Sequence, residues 1–390
     1  MNILMTTMLD MEHDRNGVVS VAHDLKCLLE AAGHPVLTVT PNNAASPDRS
    51  LMLRIARRIW RATKSPVCFL TRLHLTVKHL GERIASHAGD IDAVIAHDVL
   101  TAGAALSAVG GHCPILLVCH FWTKPWDEFS DTGLLPKHGA AIGWLRRRME
   151  HVLNDPRIML VPVSRRNEKL LRTIAPDAPQ NRIKMAYSGV YRPVATLTVE
   201  PRSGLIPTII NVGTLERRKN QRLLPLLAAA LKEMGITCRF LLVGAEQPEE
   251  KIRVQELAAK LRVDDLFTFF GEQERDTVFN LMTESDLYLH TSLEESFGMT
   301  LVEAMACNIP VMALEYEALQ EILPDMPEAV IPLDATPEQI AARIAPILSD
   351  RKKLGALQVR QRSVYERCFS SGAFVARYLE IIAGAARINL

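Results

Sequence analysis

Glu295 and Glu303 stand eight positions apart around Gly298, in the run TSLEESFGMTLVEAMA (291–306). A carboxylate accepting from two adjacent hydroxyls is the usual way a protein holds a ribose or hexose. The two glutamates need not share a helical face, so they read as gripping two parts of one extended ligand. Gly298 sits where a loop enters a helix. Such an entry leaves backbone N–H groups unpaired and turns the positive end of the helix toward the ligand, a seat for phosphate. Glu303 interrupts an otherwise apolar Leu-Val-x-Ala-Met-Ala run, which fits poorly with a plain surface position. Upstream, Gly213 follows an apolar strand, and Arg217, Arg218 and Lys219 come four to six residues later. Close backbone approach with two cationic contacts suits a diphosphate. Alone this cluster is a weak signal, because charges after a strand are usually solvated. His120 closes Ile115-Leu-Leu-Val-Cys-His, where its imidazole could donate to a sugar hydroxyl or phosphate oxygen. A lone strand-end histidine is more often structural. Phe121, Trp122 and Trp126 could wall an acceptor, and His97-Asp98 and Asn16-Gly17 belong to the same edge.

Those residues need elements to hold them. Asn2–Thr7, Val36–Thr40, Ala93–Ala96, Ile115–Cys119 and Met159–Val163 read as short apolar strands, with a helix near Val18–Ala32. Ile209–Val212, Arg239–Val243, Leu266–Phe270, Leu287–His290 and Val311–Ala313 repeat the rhythm. Helices are expected near Gln221–Met234, Glu250–Leu261, Arg275–Thr283, Thr300–Ala306 and Pro337–Leu348. Continuous apolar strands with interleaved helices favour parallel sheets covered on both faces. The Pro-containing stretch 191–207 reads as a hinge. The expected architecture is two doubly wound domains, with ligands at the C-terminal strand edges.

Several chemistries are excluded. No GxGxxG follows the first strand and no GxxxxGK[ST] occurs, against a nicotinamide dehydrogenase and a P-loop kinase. Asp90-Ile91-Asp92 has DxD spacing but precedes its strand, so it reads as a polar loop. No His/Cys/Asp cluster has metal-ligand spacing. Seven cysteines without a CxxC pair suggest buried thiols in a reducing compartment. The start shows no signal-peptide pattern and no window is apolar enough to span a membrane. Residues 1–200 carry 24 Lys and Arg against 18 Asp and Glu, the rest 21 against 26. This asymmetry suggests anionic ligands near the first half and is too weak for nucleic acid. Arginine-rich Leu51–Leu80 and His138–Leu153 could lie apolar face down on an anionic membrane, attract an anionic acceptor, or pack on their own sheet.

The chain resembles the large retaining glycosyltransferase family 4. NVGTLERRKN is similar to that family's glycine turn with its phosphate-binding Arg-Lys, LVGAE to the strand after the first helix there, and Glu295 through Glu303 to its paired glutamates separated by seven residues, in an SxxExFG…EAMA frame. Gly33-His34, His120, Val163-Ser164 and Ser188-Gly189-Val190 fit more loosely. The resemblance implies an α/β GT-B fold, two doubly wound Rossmann-like domains facing a central cleft. Residues 1–190 would be the acceptor-side domain and 206–365 the nucleotide-sugar domain, with 366–390 a helical segment packing back toward the first. It further implies that Arg218 and Lys219 hold a donor diphosphate and Glu303 the nucleotide ribose. Glu295 and the backbone of Phe297, Gly298, Met299 and Thr300 would hold the donor sugar. His120 would lie near the reacting end, Gly17 would let the first loop approach the phosphates, and the base would sit near Val243-Gly244 and Phe270-Gly271. No metal or cofactor is expected, only a UDP- or GDP-linked sugar as co-substrate. The acceptor would be a small glycoside, an oligosaccharide or a lipid-linked molecule, handled in the cytoplasm or at the inner face of a membrane. Four departures stand out: one glycine in the first loop, Gly213-Thr214 for Gly-Arg, Asn308 for glycine, and the run 313–321 in place of a Gly-rich turn. A nucleotide-sugar epimerase, or a silent protein of this fold that binds a partner or nucleotide sugar, are the alternatives.

Overall fold

The structure, a computed structural model, describes residues 1–11, 17–44, 58, 63, 65–111, 113–191 and 206–388. Expectations that fall on Asn16, on Arg54, Arg57, Trp60, Arg61 and Lys64, and on the hinge between 192 and 205 lie outside these residues. The chain divides into two compact units, Met1–Tyr191 with Ser371–Leu390, and Arg192–Ser370.

The first unit is built on strands β1 (Ile3–Thr6), β2 (Val36–Val39), β3 (Ala93–Ala96), β4 (Ile115–Cys119) and β5 (Ile158–Pro162). They form one parallel sheet in the order β2-β1-β3-β4-β5. Every residue of β1, β3, β4 and β5 is buried, which is why these strands read as unbroken apolar runs. The strand order reverses direction between β1 and β3, so the connections after these strands leave on opposite faces and open a crevice at their carboxyl ends. Asp98 ties the two connections together: its carboxylate accepts from Thr101 N at 2.9 Å, capping the helix Val99–Ala108, and from Met8 N at 2.7 Å. At the opposite edge, Asp92 accepts from Asn2 N at 2.7 Å and the Asn2 amide donates to Asp90 O, so Asp90-Ile91-Asp92 anchors the start of β1.

The arginine-rich helices spend their apolar stripes on this core. Pro66–Ala85 buries Phe69, Leu73, Val77, Leu80 and Ile84, and Ala140–Asn154 buries Ile142, Leu145, Met149, Val152 and Leu153. Among the described residues the apolar faces of these two helices are thus taken up by the core, and mainly their polar sides face outward. Arg146 and Arg147 stay exposed, while Arg148 lies 5.6 Å from the Trp144 ring centroid. No helix among the described residues is long and apolar enough to cross a membrane. All seven cysteines are free thiols.

The second unit carries β6 (Thr208–Val212), β7 (Arg239–Val243), β8 (Phe267–Gly271), β9 (Leu287–His290), β10 (Val311–Leu314) and β11 (Val330–Ile331). Their order is β11-β10-β9-β6-β7-β8, all parallel. Its reversal point lies between β6 and β9. The two-residue β11 and the helix Arg351–Cys368 were not foreseen. The first is too short to show a pattern. The second is largely polar and is fixed by contacts: Asp350 caps it through Lys352 N, and Gln361 exchanges two 2.8 Å hydrogen bonds with the backbone of Val311. The terminal helix Ser371–Ile388 packs against the helix Gly17–Ala31 within the first unit.

Candidate functional site

The carboxyl ends of β6 and β9 bring together residues 76 apart in sequence. After β6 the chain makes a short 3-10 turn, Arg217–Lys219, closed by Asn220 in the left-handed region at φ 56°. Arg217 is exposed. Arg218 and Lys219 turn toward Glu295: Lys219 Nζ donates to Oε1, and Arg218 Nη1 lies 3.3 Å from Oε2. Arg218 also donates to Glu294 O and Glu216 Oε1, both at 2.8 Å. Thr291 Oγ1 donates to Lys219 O at 2.7 Å and Leu293 N to Arg218 O at 3.0 Å, so the two loops are stitched through their backbones. The structure therefore unites Arg218, Lys219 and Glu295 in one site. Burial would raise the Glu295 carboxyl, but His290, Lys219 and Arg218 outweigh it and hold the group well below the usual carboxylate range.

Gly213 works differently from expectation. Its N–H donates to Val243 O at 2.8 Å and so is not presented to a ligand. Gly213 is itself at φ 155°, which disfavours a side chain, and Gly244, at φ 144°, is more constrained still, since a Cβ there would lie 2.3 Å from Gly213 O. The two loops pass so closely that only hydrogen fits there.

Gly298 precedes the helix Met299–Ala306 at φ 108° and ψ 53°. A Cβ on it would lie 2.2 Å from the Tyr316 hydroxyl, which donates to Phe297 O at 2.9 Å. Tyr316 belongs to the unusual run 313–321, so that departure supplies the residue that pins the loop. Asn308 is at φ 57°, a conformation glycine tolerates freely and asparagine better than most. That explains its place where a glycine is frequent. No side chain caps the helix Met299–Ala306; Leu301 N donates to Gly298 O at 3.0 Å, and the N–H groups of Met299 and Thr300 are the ones at the helix start that can serve an anion. Phe297 is buried, its ring edge-on to Phe369 at 5.8 Å, so only its backbone can serve a ligand. Met299 and Thr300 are half-buried. Glu303 is mostly buried, and Arg275 Nη2 lies 3.1 Å from its Oε1.

Sequence reasoning missed His290, Tyr288 and Arg275. His290 ends β9 and His120 directly follows β4, so the same strand-end logic could have found it. It is 1% exposed, with Nε2 3.5 Å from Glu295 Oε1 and Nδ1 3.2 Å from the Tyr288 hydroxyl. Burial lowers its pKa, against the pull of Glu295 and with help from Lys219 and Arg218.

In the first unit, His120 Nε2 and His97 Nδ1 are 3.0 Å apart and their rings stack at 5.3 Å. Burial lowers the His120 pKa to about 4, and burial with the His120 charge takes His97 well below its ordinary value. Both rings are neutral at pH about 7, and one N–H donates to the other's lone pair. Phe121 and Trp126 belong to the buried core, which leaves Trp122 as the one exposed ring of the three expected to wall an acceptor. Gly17 is exposed at the start of its helix and a Cβ there would meet open space, so the fold itself does not require glycine. Among the described residues, no cluster of three or more His, Cys, Asp or Glu could hold a metal ion.

Residues 15–190 match the family described as Glycosyltransferase Family 4, and residues 202–363 the family described as Glycosyl transferases group 1. The chain is similar to the N-acetyl-alpha-D-glucosaminyl L-malate synthase of Bacillus anthracis, with 31% identity over 144 residues. That stretch is 37% of this chain and 36% of the relative, so the likeness spans about a third of that protein's length. Sucrose-phosphate synthase from Thermosynechococcus elongatus shares the fold with a TM-score of 0.70 at 19% identity, over 98% of both chains. Anabaena HepE, in a complex with UDP, superposes with a TM-score of 0.66 at 18% identity, over 98% of this chain and 100% of that one.

Proposed function

The chain belongs to glycosyltransferase family 4 and has the GT-B fold, and on that premise we propose that it moves a sugar from a nucleoside-diphosphate donor to an acceptor hydroxyl with retention of configuration. The observation that carries this reading is the Arg218–Lys219–Glu295 cluster beside an uncapped helix start at the reversal point of the second sheet. Lys219 and Arg218 take the donor diphosphate, whose negative charge grows as the glycosidic bond breaks. Cations and N–H groups already aimed at that position stabilise the transition state without reorganising. Glu303 accepts from the ribose hydroxyls. Glu295 and the backbone of Phe297–Thr300 hold the donor sugar.

Neutral His120 can hydrogen-bond a hydroxyl without adding charge, and is assigned to the reacting end of the donor. No strong base is needed. In a front-face route the anomeric C–O bond to the diphosphate breaks, the acceptor oxygen bonds to the same carbon on the same face, and its proton passes to the departing phosphate oxygen. The reading takes UDP- or GDP-linked donors; the UDP in the HepE structure is in keeping with the first. Acceptors are small glycosides, oligosaccharides or lipid-linked molecules. The exposed Arg146 and Arg147 support contact of the first unit with an anionic membrane surface, at the cytoplasmic face.

The test is a panel of UDP- and GDP-sugars offered to the purified protein, read by nucleotide release with and without acceptor. One or more donors should release nucleotide, and Lys219→Ala should slow that release by about 10²–10³-fold. An epimerase would interconvert sugars and release nothing. Unchanged nucleotide binding and turnover in Lys219→Ala would sink the diphosphate assignment.

A further inference from the structure

Glu295 has partners of two kinds. Lys219 and Arg218 come from the loop after β6 and are the groups assigned above to the diphosphate. A cation that turns to phosphate loosens its hold on a carboxylate. His290 cannot follow them. It is the last residue of β9, with its ring between those of Tyr288 and Tyr316, at centroid distances of 6.1 Å and 5.7 Å. Its Nδ1 is 3.2 Å from the Tyr288 hydroxyl, and the Tyr288 oxygen shares a 2.8 Å hydrogen bond with Thr300 Oγ1 in the first turn of the helix Met299–Ala306. Its buried Nε2 makes no hydrogen bond among the described residues and stands 3.5 Å from Glu295 Oε1. That gap is a few tenths of an ångström beyond an ordinary N–H to oxygen bond.

The protonation of the ring follows from its neighbours. An ionised carboxylate opposite Nε2 favours the proton on that nitrogen, since a bare lone pair there would face negative charge. Nδ1 is then the acceptor and the Tyr288 hydroxyl its donor. That hydroxyl has one proton, so the Thr300 hydroxyl becomes the donor of the 2.8 Å bond to the Tyr288 oxygen, and the 3.4 Å contact to Val212 O carries no proton. A line of side chains thus runs from half-buried Thr300 through buried Tyr288 and His290 to half-buried Glu295, entirely within the second unit.

We infer that His290 is a positioning residue: it keeps the Glu295 carboxylate charged and aimed at the donor sugar while Lys219 and Arg218 engage the diphosphate, and Tyr288 fixes the ring tautomer that allows this. The inference rests on the donor-site reading above. A small closing movement converts the 3.5 Å contact into a charge-assisted hydrogen bond. The device suits a site in which two cations have competing anions.

Calorimetric binding of UDP and of UDP-glucose separates this role from a structural one. His290→Ala should bind UDP within about twofold of the parent protein and UDP-glucose about tenfold more weakly, the loss expected for one hydrogen bond to a charged group. His290→Gln, whose amide N–H can take the place of Nε2–H, should recover most of that loss. Equal weakening of UDP and UDP-glucose, or identical behaviour of the alanine and glutamine variants, overturns the inference. A second readout needs no donor. Long-range 1H–15N spectra of protein with 15N-labelled histidine should show His290 neutral with its proton on Nε2 at pH about 7, and Tyr288→Phe should mix in the other tautomer. A proton on Nδ1, or a charged ring, in the parent protein overturns the inference by itself. Failure of the parent protein to bind UDP, GDP or any of their sugars would instead count against the donor reading, and the spectra would still decide the tautomer.

Discussion

His120 directly follows β4 in the first unit and His290 ends β9 in the second, and burial keeps both rings neutral. Their company differs. His120 faces another neutral ring, His97, at 3.0 Å. His290 faces a carboxylate that also contacts a lysine and an arginine. The histidine pair offers neutral hydrogen-bonding groups, suited to hydroxyls. The edge at His290 concentrates ions of both signs, suited to a ligand that brings its own charge. The carboxylate is what makes that concentration tolerable, because two cations packed side by side would otherwise repel each other at a partly buried loop.

The comparison predicts unequal costs. Lys219→Met should lower kcat/KM for the nucleotide sugar by about 10²–10³-fold, the scale for removing one preorganised group from a developing negative charge. His120→Asn should cost only about tenfold, one neutral hydrogen bond. Steady-state kinetics of the two variants on one donor would break the distinction if the histidine proved the costlier loss. Glycines divide the same way. Gly244→Ala forces a Cβ to 2.3 Å from a backbone oxygen and should destabilise the fold by about 3 kcal/mol, measured by denaturant unfolding. Gly17→Ala meets open space and should leave stability unchanged or slightly raised.

The smallest expected effect is on acid stability. The folded pKa of His120, about 4, lies below its ordinary 6.5, so the unfolded chain takes up this proton first. Stability from this group is complete above pH about 6.5 and falls as pH drops toward about 4. His120→Asn should show a shallower fall in melting temperature between pH about 7 and about 5, with His97 leaving part of the slope in place. Glu295 has the same sign in a more acidic window. Its folded pKa is depressed, so its contribution persists below the ordinary glutamate range and is lost only as pH falls through the lowered value.

Much of the framework could be read directly. Ile115–Cys119 and Leu287–His290 are as expected, because a strand buried on both faces must be apolar at every position. Gly298 and the glutamates around it were legible because a helix entry has local chemistry. Phe121 and Trp126 were misread because a strand-end aromatic carries no mark of which way it turns, and both turn inward. Arg275 was missed because nothing near position 275 announces a partner at Glu303.

The sequence by itself determined the two parallel-sheet units, the acidic and basic residues of the donor-side loops, and the family, since apolar periodicity and local motifs suffice for these. Only the tertiary structure decided which of those groups meet. The order of strands sets β6 beside β9, and that adjacency joins Lys219 to Glu295 and selects His290 as its third partner, while β7 on the other side of β6 brings Gly244 so close to Gly213 O that no side chain fits. Contacts between residues far apart in the chain depend on strand order and loop path, and neither is written in the residues that make the contact.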